Sequence, residues 1–324
     1  MGDWLCDPSS CHTGAMRALI PLLLLLLATL AGCAAPENCA LVPLAEMPLE
    51  THANLLFVTA VISGRPVRLL VDTGAERTVL TQATVARLGL SHDLRHLTRS
   101  FGIGGSSASW DADIPGIVLG QTRFPVEHVA VGNFTIDQVS GPMADGLLGA
   151  DILLAFDMDI DSAEHRLTLY RVRRCPDAPP PWHQPSIQIN GLDARRDRLL
   201  VPITLDNVAG MAILDTGAQA TTIGMGMARR LGLSTESLEA DRTILARGAA
   251  PHPVAVHLHQ FRELLVGGEA RIMDPTLAVV PSDSAVGDAL LGGDFLHGRR
   301  VWLSFATRRL FVSTVGAPQI AANP

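Results

Sequence analysis

The chain's apolar positions fall in short β-rich runs set apart by turn residues, with little sign of long amphipathic helices. Leu55–Ile62 and residues 67–71 are two such runs, and Ser63-Gly64-Arg65-Pro66 between them reads as a hairpin turn. One short helix is predicted over 81–88, opened by a Thr81 cap and closed by Gly89. Asp151 follows Gly149-Ala150 and Asp294 follows Gly292-Gly293, each ahead of an apolar stretch, so both read as helix N-caps. Alternating strands then follow, Asp157–Asp161 and 166–170 in the first half.

The pattern occurs twice. Leu70-Val71-Asp72-Thr73-Gly74-Ala75 returns as Ile213-Leu214-Asp215-Thr216-Gly217-Ala218, an offset of 215 − 72 = 143. At the same offset Ala86-Arg87-Leu88-Gly89-Leu90 meets Arg229-Arg230-Leu231-Gly232-Leu233. Leu147-Leu148-Gly149-Ala150-Asp151 meets Leu290-Leu291-Gly292-Gly293-Asp294, and Arg166-Leu167 meets Arg309-Leu310. Four blocks sharing one offset mark an internal duplication. Asp145 and Asp288 also match and read as turn residues. Between the copies, residues 176–185 carry five prolines, a stretch that favours an extended, semi-rigid linker. The sequence therefore divides into a leader (1–33), a first domain (45–172), a linker (173–194), a second domain (195–315) and a tail (316–324) read as disordered.

Length and composition narrow the chemistry. A chain of 324 residues, about half of them apolar, supports two domains each with its own core. A net charge of -7 argues against nucleic acid as partner. All 25 basic residues are Arg, which excludes Schiff-base catalysis, a Ser–Lys dyad and a phosphate-loop Lys.

The leader reads as a targeting signal. Met16-Arg17 precedes an apolar run, 18–31, too short to span a bilayer comfortably, and Asp3 and Asp7 upstream suggest that translation starts at Met16. Leu30-Ala31-Gly32-Cys33 resembles a bacterial lipobox, which implies lipidation at Cys33; the alternative is an ordinary signal peptide with an incidental Cys. The expected location is the periplasmic face of a bacterial envelope. Ala34 after the lipidated Cys favours the outer membrane over the inner. Cys39 and Cys175 flank the first copy and are either a disulfide or two free thiols.

Asp-Thr-Gly alone is a weak signal. Its context sharpens it: in both copies an apolar strand runs into the Asp, and Leu-Leu-Gly follows at matching distance. This resembles the retropepsin-like aspartic proteases over nearly all of 50–172 and 195–315. The resemblance implies an all-β fold: two tandem acid-protease β-barrel domains in a bilobal, pepsin-like arrangement about a pseudo-two-fold axis. It implies Asp72 and Asp215 as the catalytic pair. Two carboxyls sharing one proton can take a proton from water and give one to the carbonyl oxygen; such dyads are a worked example of carboxylate coupling. Thr73, Gly74, Ala75, Thr216, Gly217 and Ala218 would form the supporting loops, the threonines bonding across the axis. The substrate would be an extended peptide or protein bound to a monomer acting as an intramolecular pseudo-dimer, with no metal or cofactor.

Phe101-Gly102-Ile103-Gly104-Gly105 reads as a flap tip over substrate, with Gly102, Ile103, Gly104 and Gly105 as its binding residues. At the same offset Ile244-Leu245-Ala246-Arg247-Gly248 keeps only Gly248, a departure from a symmetric retropepsin dimer. Ala75 and Ala218 stand where pepsins usually carry a hydroxyl, which predicts activity nearer neutrality than strong acid. Two rivals remain: each copy pairing with a second chain, or an envelope binding protein that has lost catalysis. His257 and His259 share a strand face but nothing nearby completes a metal set, and Trp110 and Trp302 read as packing residues.

Overall fold

A computed structural model describes residues 40–102, 105–132, 144–173, 178–190, 192–195, 198–246, 252–281, 287–305 and 307–314. Cys33, Cys39, Cys175, Ile103, Gly104, Arg247, Gly248 and the leader and tail lie outside them. Among the described residues the fold is strands with five short helices.

The duplication is written in the strand boundaries. Leu55–Ile62 and Arg65–Val71 recur as Arg198–Leu205 and Val208–Leu214, and Val79–Thr81 as Thr222–Gly224. Gly146–Leu148 recurs as Ala289–Leu291, and Asp157–Asp161 as Arg300–Ser304. In each copy a hairpin delivers its second strand to the Asp-Thr-Gly loop. The Leu-Leu strand pairs parallel to that delivery strand, Leu70 beside Leu147 and Ile213 beside Leu290. The predicted helix forms as Gln82–Leu88: Thr81 Oγ1 accepts the Thr84 N–H, and Gly89 closes it with φ 68°, the left-handed region that glycine tolerates. The 63–66 turn also forms, with Ser63 and Gly64 both at positive φ.

Six strands join the copies. Ala40–His52, Arg166–Arg173 and Asp157–Asp161 from the first pair onward into Arg300–Ser304, Arg309–Ser313 and Ser186–Ile189 from the second. At the centre Asp157–Asp161 runs antiparallel to Arg300–Ser304, with Asp159 opposite Trp302. Those two positions are separated by the repeat offset, so the pseudo-two-fold axis passes through this pair. Arg300 Nε and Nη2 donate to Asp159 at 2.9 and 2.6 Å, and Trp302 Nε1 donates to Asp157 at 3.2 Å, so the buried carboxylates are paired. Ser186–Ile189, within the stretch read as linker, is therefore a strand of this sheet.

Two expectations need correction. Asp151 and Asp294 are not helix caps; Gly149 and Gly292 occupy the cap positions of Ala150–Leu153 and Gly293–Leu296. The carboxylates instead turn back to Thr78 and Thr221, where hydrogen bonds of 2.7–2.8 Å tie the Asp-Thr-Gly loop to the helix start. Trp302 is 2% exposed, as a packing residue should be, but Trp110 is 43% exposed on a hairpin and packs into no core.

Candidate active site

Each Asp-Thr-Gly loop follows directly from its strand. Leu148 O accepts the Asp72 N–H and Leu291 O the Asp215 N–H, both at 3.0 Å, so the Leu-Leu strand fixes where each loop leaves the sheet. Gly149 and Gly292 permit this: a Cβ on either would strike the backbone of 77–78 or 220–221. Asp145 and Asp288 act structurally, accepting the backbone N–H of Arg68 and Met211 and the guanidinium of Arg87 and Arg230.

The loops lock to each other. Thr73 Oγ1 donates to Leu214 O at 2.7 Å and accepts the Thr216 N–H at 3.1 Å. Reciprocally, Thr216 Oγ1 donates to Val71 O at 2.6 Å and accepts the Thr73 N–H at 3.0 Å. Both threonines are fully buried, so all four bonds are shielded from water.

Asp72 Oδ1 accepts the N–H of Gly74 and Ala75 at 2.9 and 2.8 Å, and Asp215 Oδ1 those of Gly217 and Ala218 at 2.9 and 3.1 Å. One oxygen of each carboxyl is thus committed to its own loop. The two carboxyls are hydrogen-bonded to one another. Gly74 and Gly217 make room, because a Cβ on either would collide with the opposite carboxyl. Burial pushes Asp72 up, helped by the negative charge of Asp215, to about 8. Burial also raises Asp215, against the opposing pull of the Gly217 and Ala218 N–H groups, its bond to Asp72, and the nearby Arg198 cation. The pair therefore titrates as one unit and keeps one proton well above the ordinary carboxylate range.

The hairpins beside the two loops differ. The first, His92–Gly102 with Gly105–Asp113, closes between Gly102 and Gly105 as a two-residue tip. It is anchored to the first loop: Arg77 Nη1 donates to Asp111 Oδ2 at 2.7 Å and also bonds Thr98 Oγ1, which donates to Asp111 Oδ1 at 2.6 Å. The second, Arg242–Ala246 with Val254–Gln260, closes Ala246 against Val254 with seven residues between. Its tip is longer, so the fixed offset of the repeat fails there. His257 and His259 lie on it; His259 Nδ1 meets Asp241 at 2.7 Å and His257 meets Thr243 at 3.3 Å.

The repeat offered no cue to Arg77, Asp111 or Arg198: Ala220 and Leu55 stand at the offset from Arg77 and Arg198, and Asp111 lies in the hairpin where the offset fails. Arg198 Nη2 lies 3.5 Å from Glu76, next to the first loop. The one available signal was the mismatch itself: charged residues interrupting an otherwise symmetric motif.

Paired Asp-Thr-Gly loops locked by reciprocal threonine bonds, with carboxyls in contact at the junction of two β-lobes, define an aspartic-proteinase site. The family model described as "Aspartyl protease" matches residues 58–152 and again 201–295, and the chain belongs to that family. The chain is similar to DNA damage-inducible protein 1 of Yarrowia lipolytica, 25% identical over 126 residues, which is 38% of this chain and 29% of that protein. The chain thus spans under a third of that relative's length. In structure it resembles the aspartic proteinase from Irpex lacteus, with a TM-score of 0.50 at 14% identity, covering 84% of this chain and 99% of that one. That likeness shows the fold.

Proposed function

We propose that the chain is an aspartic endopeptidase in which Asp72 and Asp215 activate one water against a peptide carbonyl. The observation that carries this reading is the pair of hydrogen-bonded carboxyls, each steadied by two backbone N–H groups and each raised by burial. One ionised carboxylate takes a proton from water while the protonated partner gives one to the carbonyl oxygen, forming a tetrahedral diol. Collapse of the diol with a proton passed to the amide nitrogen breaks the C–N bond. Because the pair still holds a proton near neutrality, activity belongs in mild acid to neutral solution. An extended substrate fits the first hairpin, where Gly102 and Gly105 frame the tip.

Both carboxyls come from one chain, which supports a monomeric enzyme. Export with a lipid on Cys33, on the periplasmic face and favouring the outer membrane, remains part of the proposal and rests on the leader sequence. Metabolic labelling with a fatty acid that is lost on Cys33→Ser tests it. Catalysis is tested by incubating the full chain with an unfolded protein at mildly acidic and neutral pH. Cleavage blocked by a pepstatin-type inhibitor and absent in Asp215→Asn supports the reading. Tight inhibitor binding with no cleavage by the wild type turns the chain into a binding protein.

A further inference from the structure

A second cluster of metal-capable side chains lies away from the dyad, at the root of the first hairpin. Strand register creates it. Asp93 pairs with Asp111, but the next pair is Leu97 with Trp110, so Leu94, Arg95 and His96 bulge out. The bulge folds the His96 ring back onto Asp93, three residues earlier. His128 arrives from the neighbouring strand, paired with Asp113. Asp93, His96 and His128 each bring one ligand atom within 4.8 Å of the others.

The donor set is divided as a metal would need. Asp93 is 2% exposed, and its Oδ1 accepts the Arg95 N–H at 2.9 Å and Nε–H at 3.1 Å. Its Oδ2 is left facing both rings: His96 Nδ1 is in contact, and His128 Nδ1 is 3.4 Å away. Two ligands bound at about 2.0–2.2 Å to a tetrahedral ion stand about 3.4 Å apart, so Asp93 and His128 already have that spacing. Asp113 Oδ1 lies 2.9 Å from the same His128 nitrogen, so that hydrogen bond is exchanged for the ion when Nδ1 ligates. The rings lie side by side, centroids 5.2 Å apart and 36° from parallel. His96 is 58% exposed, so an ion has an entry path and a fourth position for water.

We propose that Asp93, His96 and His128 form a binding site for one divalent metal ion of the zinc class, clamping the bulged strand to the strand His128–Gly132. Binding replaces the ring contacts with Asp93 by metal bonds, and any imidazole protons leave to solvent through exposed His96. The clamp stiffens the root of the hairpin that Asp111 ties to Arg77 and the Asp72 loop. Among the described residues of the second hairpin, no third ligand joins Asp241 and His259. No zinc-site role is therefore assigned to it.

The test uses the full chain, purified without a histidine tag and with its cysteines alkylated, titrated with Zn²⁺ and separately with Co²⁺. The site predicts one equivalent of Zn²⁺ at the histidines, a rise in melting temperature with Zn²⁺, and the visible bands of tetrahedral Co²⁺ without a sulfur charge-transfer band. His96→Gln, a change at an exposed side chain, should weaken binding at least about tenfold, and His96→Gln with His128→Gln should remove it. Asp215→Asn should bind Zn²⁺ as the wild type does, which separates this site from the peptidase reading. No bound equivalent in the wild type, or undiminished binding in the double variant, overturns the proposal.

Discussion

The two lobes share one loop and differ in what surrounds it. On both sides the Asp-Thr-Gly loop makes the same bonds: two N–H groups to the carboxylate, one threonine across the axis, one further Asp tied to a Thr. Around them symmetry breaks. The first hairpin is long, bulged and fastened through Asp111 to Arg77; the second has a seven-residue tip, and Ala220 stands in place of Arg77. Duplication thus preserves what must be made jointly and frees what one lobe can do alone. A dyad needs two equal halves, whereas the proposed cover over substrate needs one fastened hairpin.

The sharpest way to break the comparison is at the dyad. Asp72→Asn and Asp215→Asn should each lower peptide-cleavage rate about 1,000-fold or more, since each removes half of one proton shuttle. If one variant lost far less than the other, the shared-proton mechanism would fail. Next, Thr73→Ala and Thr216→Ala should destabilise by equal amounts, roughly 2–4 kcal/mol, because each strands two buried bonding partners. Urea melts of the two variants measure this, and a large inequality would show that the lock is one-sided.

Asymmetry predicts the next effect. Arg77→Ala should cut kcat/KM by about 10- to 100-fold, the worth of charge-assisted bonds of about 1.5–3 kcal/mol, while Thr243→Ala in the second hairpin should change it little. Equal losses would mean that both hairpins serve alike.

Smaller still is the effect of pH on stability. A carboxyl raised in the folded state stabilises most below its unfolded pKa, near 4, and that contribution is lost as pH rises through about 8. Asp72→Asn should therefore melt above the wild type at pH 9 by a margin that shrinks toward pH 4. A constant margin across that window would remove burial as the cause. Least in size, Arg198→Leu installs the residue of the first lobe. Losing that cation raises Asp215, so the acid limb of the pH–rate profile should move up by less than about one unit. A downward move contradicts the assigned sign.

Much of this was legible beforehand where residues act through local chemistry. The Thr81 cap and Gly89, the 63–66 turn and the strand into each Asp follow from steric and capping rules that need only neighbours. Family resemblance implies the threonine bonds across the axis, and they form at 2.6–3.1 Å. Asp151 and Asp294 misled because a carboxylate after Gly-Ala or Gly-Gly fits a cap equally well, and only the fold brings Thr78 and Thr221 within reach. Trp110 misled because strand residues alternate faces and its face has no second layer over it. The Asp93–His96–His128 cluster depends on a three-residue register slip, which periodicity cannot register.

The strand pair through which the axis passes carries a lesson about ancestry. Asp157–Asp161 meets its own counterpart, Arg300–Ser304, in the way two separate copies of one shorter gene product would associate. That pairing predicts that the halves hold together without their covalent join, which would then act by raising local concentration. Severing the chain within 176–185 should leave both fragments associated and co-purifying. Such a split protein would re-create, in one tube, the homodimer from which a fused gene can arise.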